Sequence, residues 1–315
     1  MKRHTRICFF LLFSGFVCYL LFFLQRIGPV VRPFFEDEKG HNRSILVGVS
    51  KSAREQGEVF FKSVKEEAFK HDAVSNMLSP SRKAELFTLK DCIEYARYYS
   101  PEGMIFFSDS ETFLPEPLFN VHGKEIPVVV AGFCSPSCTL PRVYVSTEQA
   151  AEKLTTLLSE KSEWKKIVFF QNDEWNPKYF SEVAAGVKKS AGNEKNIITI
   201  HRSKSSREKQ IWEVLESCVN REHIDAIVCF SPLDLNNAAQ ALVDMNIAGK
   251  IGLLGVLGTQ KSIEYLNKSI ITAILEVDFE EYGRKCSELL FDTIENGVKV
   301  ESQEINLQIL RGEKQ

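Results

Sequence analysis

The sequence predicts an α/β protein built as two doubly wound parallel-sheet lobes with a cleft between them. Short, unbroken apolar runs alternate with amphipathic stretches from Ile45 onward, and unbroken runs belong to strands covered on both faces. The βαβ order recurs in two consecutive series, which argues for two such lobes. With 315 residues, 44% hydrophobic and 26% charged, the chain can bury the cores of one or two domains.

The elements follow in order. The segment "ICFFLLFSGFVCYLLFFL" (7–24) has no charge and follows Lys2, Arg3 and Arg6. Eighteen helical residues would span roughly 27 Å, close to the thickness of a bilayer core. No small-x-small cleavage site follows it. It is therefore expected to be an uncleaved transmembrane signal anchor, with residues 1–6 as a cytoplasmic tail. The basic residues lie before the span, which puts the body on the extracytoplasmic side. A cleaved signal peptide is the alternative; it would alter attachment but not compartment. Residues 25–44, with Gly28, Pro29, Pro33 and "EDEKGHNR", read as a polar stalk.

In the body, "ILVGV" (45–49) precedes the helix "EVFFKSVKEEAFK", where Val59, Phe60, Val64 and Phe69 recur near helical spacing. The helix "KAELFTLKDCIEYARYY" leads to strands "GMIFF" (103–107), "IPVVVA" (126–131) and "RVYVS" (142–146). The second series alternates helix "EQAAEKLTTLLSEK", strand "KIVFFQ" (166–171), helix "KYFSEVAAGVKKSA" and strand "NIITI" (196–200). It continues with helix "REKQIWEVLESCVN", strand "IDAIVCF" (224–230), helix "LNNAAQALVDMN" and strand "KIGLLG" (250–255).

Net charge is −3, which gives no large basic face and argues against nucleic acid as a partner. Eight cysteines show no CxxC pair and no Cys/His spacing of a zinc site; no metal or other cofactor is expected. Cys134 and Cys138, in "FCSPSC", are near enough in sequence to form a disulfide in an oxidising compartment. Cys92, Cys218, Cys229 and Cys286 lie in apolar periodic segments and read as buried small hydrophobes. There is no Gly-rich phosphate loop with its Lys, no G-x-S-x-G and no HExxH, and the expectation is a protein that is not an enzyme.

Ligands of open parallel sheets sit outside the carboxyl ends of the strands, so candidate contacts stand just after each run. These are Arg54, Glu55 and Gln56 after the first strand, Ser108 and Asp109 after "GMIFF", and Asn172 to Asn176 after "KIVFFQ", with Tyr179 a turn later. Trp175 and Phe61 can sandwich an apolar ring face, and Asp234, Asp109 and Asn172 can bind hydroxyls or an amine. Loop polarity and a core role for the phenylalanines are the bland alternative.

In this order the sequence resembles the type 1 periplasmic binding proteins, the ribose-binding-protein-like group that also supplies the effector domain of LacI-type regulators. The resemblance spans about residues 45–312. It is carried by "ILVGVSKSAREQGEVFFKSVKEEA" with its paired Phe60 and Phe61, by "EGMIFFSDSE", "IPVVVAG" and "VYVSTEQAAEKLTTLL", by "IDAIVCFSPLDLNNAAQALVDMN", and by "ITAILEVDFEEYGRKCSELLFDTIENG". It implies three crossings between lobes, near Ser146–Thr147, Glu276–Val277 and Val300–Gln303. Lobe 1 is then 45–146 plus 277–301, and lobe 2 is 147–276 plus 302–315, with "EINLQIL" as its last strand.

The resemblance also implies a ligand site of Asp234, Asp109, Trp175, Phe61, Asn172, Arg54 and Glu276, the last at the family's hinge Gln. Three departures stand out. The family's Gly-Phe-Asp is Gly255, Val256 and Leu257; its Asp-Arg is Gly132 and Phe133; its Arg-bearing turn has become "FSEVAAGV". These delete bidentate donors and acceptors that fix ring hydroxyls, so the ligand is expected to differ from the family's default free sugar. The expected function is capture of a sugar-like or other small polar ligand, handed to the membrane permease of an ABC-type importer. The alternatives are a sensor reporting to a membrane histidine kinase, or an interaction module that has lost its ligand.

Overall fold

A computed structural model describes residues 43–50, 54–78, 89–108, 117–132, 140–172, 177–192, 195–202, 209–217, 223–297 and 301–312. The first sheet contains β1 (Arg43–Val49), β2 (Ala73–Leu78), β3 (Gly103–Ser108), β6 (Val128–Gly132), β7 (Arg142–Tyr144) and β13 (Gln303–Glu304). Its spatial order is β13-β7-β6-β3-β1-β2, with every pairing parallel. The second contains β8 (Lys166–Asn172), β9 (Asn196–Arg202), β10 (Ala226–Cys229), β11 (Gly252–Val256), β12 (Ala273–Val277) and β14 (Leu307–Arg311). Its order is β14-β12-β11-β10-β8-β9, parallel except for β14. A small antiparallel hairpin, β4 (Leu118–Phe119) and β5 (Glu125–Ile126), lies beside the first sheet.

The two sheets thus share one winding, in which the second strand of each series takes the outer edge and the third lies inside the first. The order reverses between β1 and β3 and again between β8 and β10, and a crevice opens beyond the strand ends at such a reversal. The helices are α1 (Arg54–Lys70), α2 (Leu89–Tyr99), α3 (Thr147–Ser159), α4 (Pro177–Ala191), α5 (Lys209–Ser217), α6 (Pro232–Asp244), α7 (Gln260–Asn267) and α8 (Phe279–Asn296).

Strand β2 was not among the expected runs. Its sequence, AVSNML, alternates between buried and half-buried positions, because an edge strand is covered less fully than its neighbours. The expected last strand "EINLQIL" is divided between the sheets: β13 pairs with β7, Ile305 N still donates to Tyr144 O at 2.9 Å, and β14 pairs with β12. The third crossing therefore falls at Ile305–Asn306, beyond the expected 300–303. It runs beside the first, where Gln149 donates to Glu304 at 2.9 Å and accepts from Leu307 N.

The expectation of a single-pass membrane protein is corrected. Among the described residues no helix is long and apolar enough to cross a membrane. The longest, α8, has 18 residues, and its apolar face is committed to the first lobe. The segments expected as tail (1–6), anchor (7–24) and most of the stalk (25–44) lie outside the described residues, as do Cys134 and Cys138. Strand β1 begins at Arg43, within the expected stalk. Cys92, Cys229 and Cys286 are buried as expected.

Helix α8 organises the first lobe. Asp278 caps it, its Oδ1 accepting from Glu280 N and Glu281 N at 3.0 Å each, and Gly297, at φ +62°, ends it. Tyr282 on α8 is fully buried, and its hydroxyl accepts from Gly132 N at 2.6 Å while facing the carbonyls of Gly132 and Val143 at 3.0 and 2.9 Å. One phenol thereby joins α8 to both β6 and β7. Phe60 of α1 stacks on Phe107 at 4.7 Å and meets Tyr282 edge-on at 5.9 Å.

This close approach needs Gly283, since a Cβ there would lie 2.4 Å from Phe60 O and 3.1 Å from Ser63 Cβ. Gly283→Ala is expected to force α1 and α8 apart and to cost about 1–3 kcal/mol, read as a lower urea midpoint at unchanged m-value. Tyr282→Phe keeps the ring but strands the Gly132 N–H, and a thermal melt should show a loss of about 1–3 kcal/mol.

Candidate functional site

A cleft of about 540 Å³ lies where the lobes meet. One wall is the start of α1, with Gln56, Glu58 and Val59. The opposite wall is the turn after β11 and the start of α7, with Gly258, Thr259, Gln260 and Ile263. The floor is the second crossing and the start of α8, from Glu276 to Glu280. These positions lie at or beyond the carboxyl ends of strands, as the sheet geometry requires.

Glu276 closes the floor. Its Oε2 accepts from Gly258 N at 3.0 Å and its Oε1 from Val277 N at 3.4 Å. Burial pushes its carboxyl up from 4.5 to about 7, against the pull of those two N–H donors. From the other lobe, Gln56 Nε2 donates to Gly258 O at 3.3 Å. Both backbone groups of Gly258 are therefore held by side chains, one from the crossing and one from lobe 1.

Thr259 starts α7 with a reciprocal cap, Ser262 N donating to Thr259 Oγ1 at 3.3 Å and Thr259 N to Ser262 Oγ at 3.0 Å. Asn236 of α6 joins it, donating to Thr259 Oγ1 at 2.9 Å and accepting from Ser262 Oγ at 2.8 Å. The wall is thus braced from behind.

Leu257, at the position where the resemblance expects an Asp, is buried and holds φ at +64°. Its N–H donates to Leu275 O at 2.8 Å, and its side chain belongs to the apolar cluster that includes Val277, Phe279 and Leu275. A left-handed conformation strains a bulky residue by about 1–3 kcal/mol, and here burial and the flanking hydrogen bonds hold it. No carboxylate faces a ligand from this position.

Among the expected contacts, the structure brings Glu276 into the cleft together with Gln56. Asp234 stands at the start of α6, 1% exposed, with its N–H on Ser231 Oγ at 3.5 Å; it is not among the residues lining the cleft. Phe61 is half-buried and packs against the main core, and it does not line the cleft either. Tyr179 is fully buried, its hydroxyl donating to Ser146 O at 3.3 Å. Asp109 and Trp175 lie outside the described residues, as do the side chains of Arg54, at the first turn of α1, and of Asn172, at the end of β8.

Sequence reasoning missed Glu58, Thr259, Asp278 and Glu280. The signal for Asp278 and Glu280 was available: "DFEE" directly after the hinge strand is a capped helix start, and a cap there must face the crossing. Among the described residues no group of three or more His, Cys, Asp or Glu could hold a metal ion.

No protein-family model matches the chain, and no curated protein matches it in sequence. Solved structures do. GanP, a glucose-galactose binding protein from Geobacillus stearothermophilus, is similar at 16% identity and a TM-score of 0.71, over 86% of this chain and 98% of that one. An ABC transporter periplasmic solute binding protein from Actinobacillus succinogenes, with bound D-allose, is similar at 14% identity and 0.72, over 86% and 98%. The XylFII-LytSN complex offers a third likeness at 16% identity and 0.70, over 86% and 98%. At such identity the likeness shows the fold alone, the α/β fold of type 1 periplasmic binding proteins.

Glu276 gives this cleft a pH signature. Its folded carboxyl titrates above its ordinary value, so the folded state binds the extra proton between the two. The stability it contributes is complete below pH 4.5 and is lost as pH rises to about 7. Urea melts across that window should show the wild type losing on the order of 3 kcal/mol relative to Glu276→Gln. Equal slopes for the two proteins would remove Glu276 from the account.

Proposed function

We propose that this chain is a solute-binding protein that captures a sugar-like or other small polar ligand between its lobes. The observation that carries the reading is the cleft itself: polar side chains from both lobes converge on it at the carboxyl ends of two identically wound sheets. Neighbours with that fold bind sugars, among them glucose, galactose and allose. Closure of the lobes about the crossings, with the ligand as the bridge, is the motion such a hinge allows. Handing the ligand to a membrane permease is the downstream step we favour.

Leu257 limits the reading. An apolar, buried residue at that position takes away one hydroxyl acceptor, which favours a ligand other than a plain hexose or pentose. A second reading has a specific observation behind it: one structural neighbour occurs in a XylFII-LytSN complex. On that reading the closed lobes present a surface to a signalling partner rather than to a permease.

The test is a thermal-shift screen of the full chain against sugars, polyols, nucleosides, amino acids and amines. A ligand at a hundred times its Kd should stabilise the protein by about 2.7 kcal/mol, a rise of several degrees. The hit should weaken in Asp234→Asn if Asp234 turns toward the ligand on closure, and persist if Asp234 only anchors α6. A folded protein that responds to nothing in the panel would sink the receptor reading and leave the interaction module.

A further inference from the structure

The cleft described above is lined by four carboxylates beside neutral side chains. Glu58, Glu276, Asp278 and Glu280 all line it, and among the described residues no Lys, Arg or His does. The side chain of Arg54 lies outside the described residues, and the described cations near the cleft in sequence are engaged elsewhere. Lys62 lies 3.9 Å from Glu66, Arg284 2.5 Å from Glu288 and Lys285 3.1 Å from Glu281, while Lys261 stands over the Tyr265 ring.

Gln56 supplies an independent observation. It is 9% exposed and lines the cleft. Its orientation is fixed chemically: Gly258 O can only accept, so the amide nitrogen must face it, at 3.3 Å. The amide oxygen therefore points the other way. It has no partner among the described residues, and it is not one of the buried unsatisfied atoms, so it is open to the cleft. A fixed, nearly buried side chain thus offers an acceptor to the cleft that Glu276 also lines. A neutral sugar hydroxyl needs donors as well as acceptors around it, whereas an ammonium group offers three donors and accepts nothing.

We propose that the cleft selects ligands carrying a protonated amine, an aminated sugar or a polyamine, over neutral sugars. The inference rests on the reading of this cleft as the ligand site and names its chemistry. The amine sits between Gln56 Oε1 and the Glu276 carboxylate, with Glu58, Asp278 and Glu280 supplying field at the mouth. An incoming cation stabilises the ionised form of Glu276, so its binding strengthens as pH rises through neutrality and releases a proton. Glu58 of α1 and Asp278 and Glu280 of α8 line the same space and add negative charge to it.

Isothermal titration of the full chain with D-glucosamine, spermidine and D-glucose tests this. At least one amine is expected to bind about tenfold or more tighter than D-glucose, and to weaken at high salt. Glu276→Gln should weaken it by about tenfold. Glu280→Gln, at an exposed position where folding is not at risk, should weaken it by about threefold. Tight D-glucosamine binding supports the proposal and the sugar reading together. Spermidine binding alone supports the amine class and removes the sugar reading. D-glucose bound as tightly as the amines, or an amine affinity indifferent to both substitutions, overturns the proposal and leaves the sugar reading standing. No heat with any of the three overturns both.

Discussion

The peptide of Gly258 is held from two directions, and the arrangement of the cleft depends on that grip. Its N–H reaches Glu276 Oε2 at 3.0 Å and its carbonyl receives Gln56 Nε2 at 3.3 Å. The first contact ties the turn after β11 to the second crossing. The second ties it to α1 of the opposite lobe. A side chain at 258 would crowd this junction, since a Cβ would meet Glu276 Oε2, Ile274 Cδ1 and Ser262 Cβ at 3.3 Å each. Those neighbours would have to give by a few tenths of an ångström to admit a side chain. Gln56 is the contact that opening of the lobes would have to break, and it is a single neutral hydrogen bond worth about 1 kcal/mol.

The cost of building this junction is visible on either side of it. Leu257 takes a left-handed backbone that bulky residues avoid, and Glu276 holds a half-buried carboxyl on backbone donors, with burial pushing it up to about 7. Neither feature helps folding by itself. Strain and a perturbed carboxyl side by side at a strand end are the pattern expected where a ligand is received. The supporting elements behind them are ordinary and well satisfied: the Thr259–Ser262 cap, the Asn236 brace and the Asp278 cap all fix the backbone that carries the site.

Much of this architecture was legible in the chain. The central strands announce themselves because both faces are covered, so β1, β3, β6, β8, β10 and β11 appear as apolar runs. The edge strand β2 does not, since half its side chains meet solvent and its pattern fades into the adjoining helix and loop. The path of the last residues was also hidden. "EINLQIL" is a uniform strand in sequence, but Ile305 stays on Tyr144 while Leu307 passes to β12, a division that depends on the spacing of two sheets. At the site, Glu276 was named by the resemblance, as the match to the family's hinge Gln, and it lies within β12. Gln56 could be named, but not its role, because its value lies in which end of the amide Gly258 commits. Asp234 and Phe61 were named from the family pattern, and in this structure they stand behind the cleft's lining, Asp234 at the start of α6 and Phe61 against the core.

The departures from the family pattern belong together when read against the structure. Where the resemblance expects an Arg-bearing turn, α4 presents Phe180, Val183 and Val187 to the core, all buried. Where it expects Asp-Arg, Gly132 gives its N–H and carbonyl to Tyr282. Where it expects Asp, Leu257 is packed among apolar neighbours. The guanidinium donors and one acceptor have thus been replaced by structure, while four other carboxylates line the cleft, two of them from "DFEE" at the start of α8. Lys62, Arg284 and Lys285 are engaged with other carboxylates, and among the described residues no cation lines the cleft. Four carboxylates around a space of about 540 Å³ attract a positively charged ligand more strongly than a neutral one.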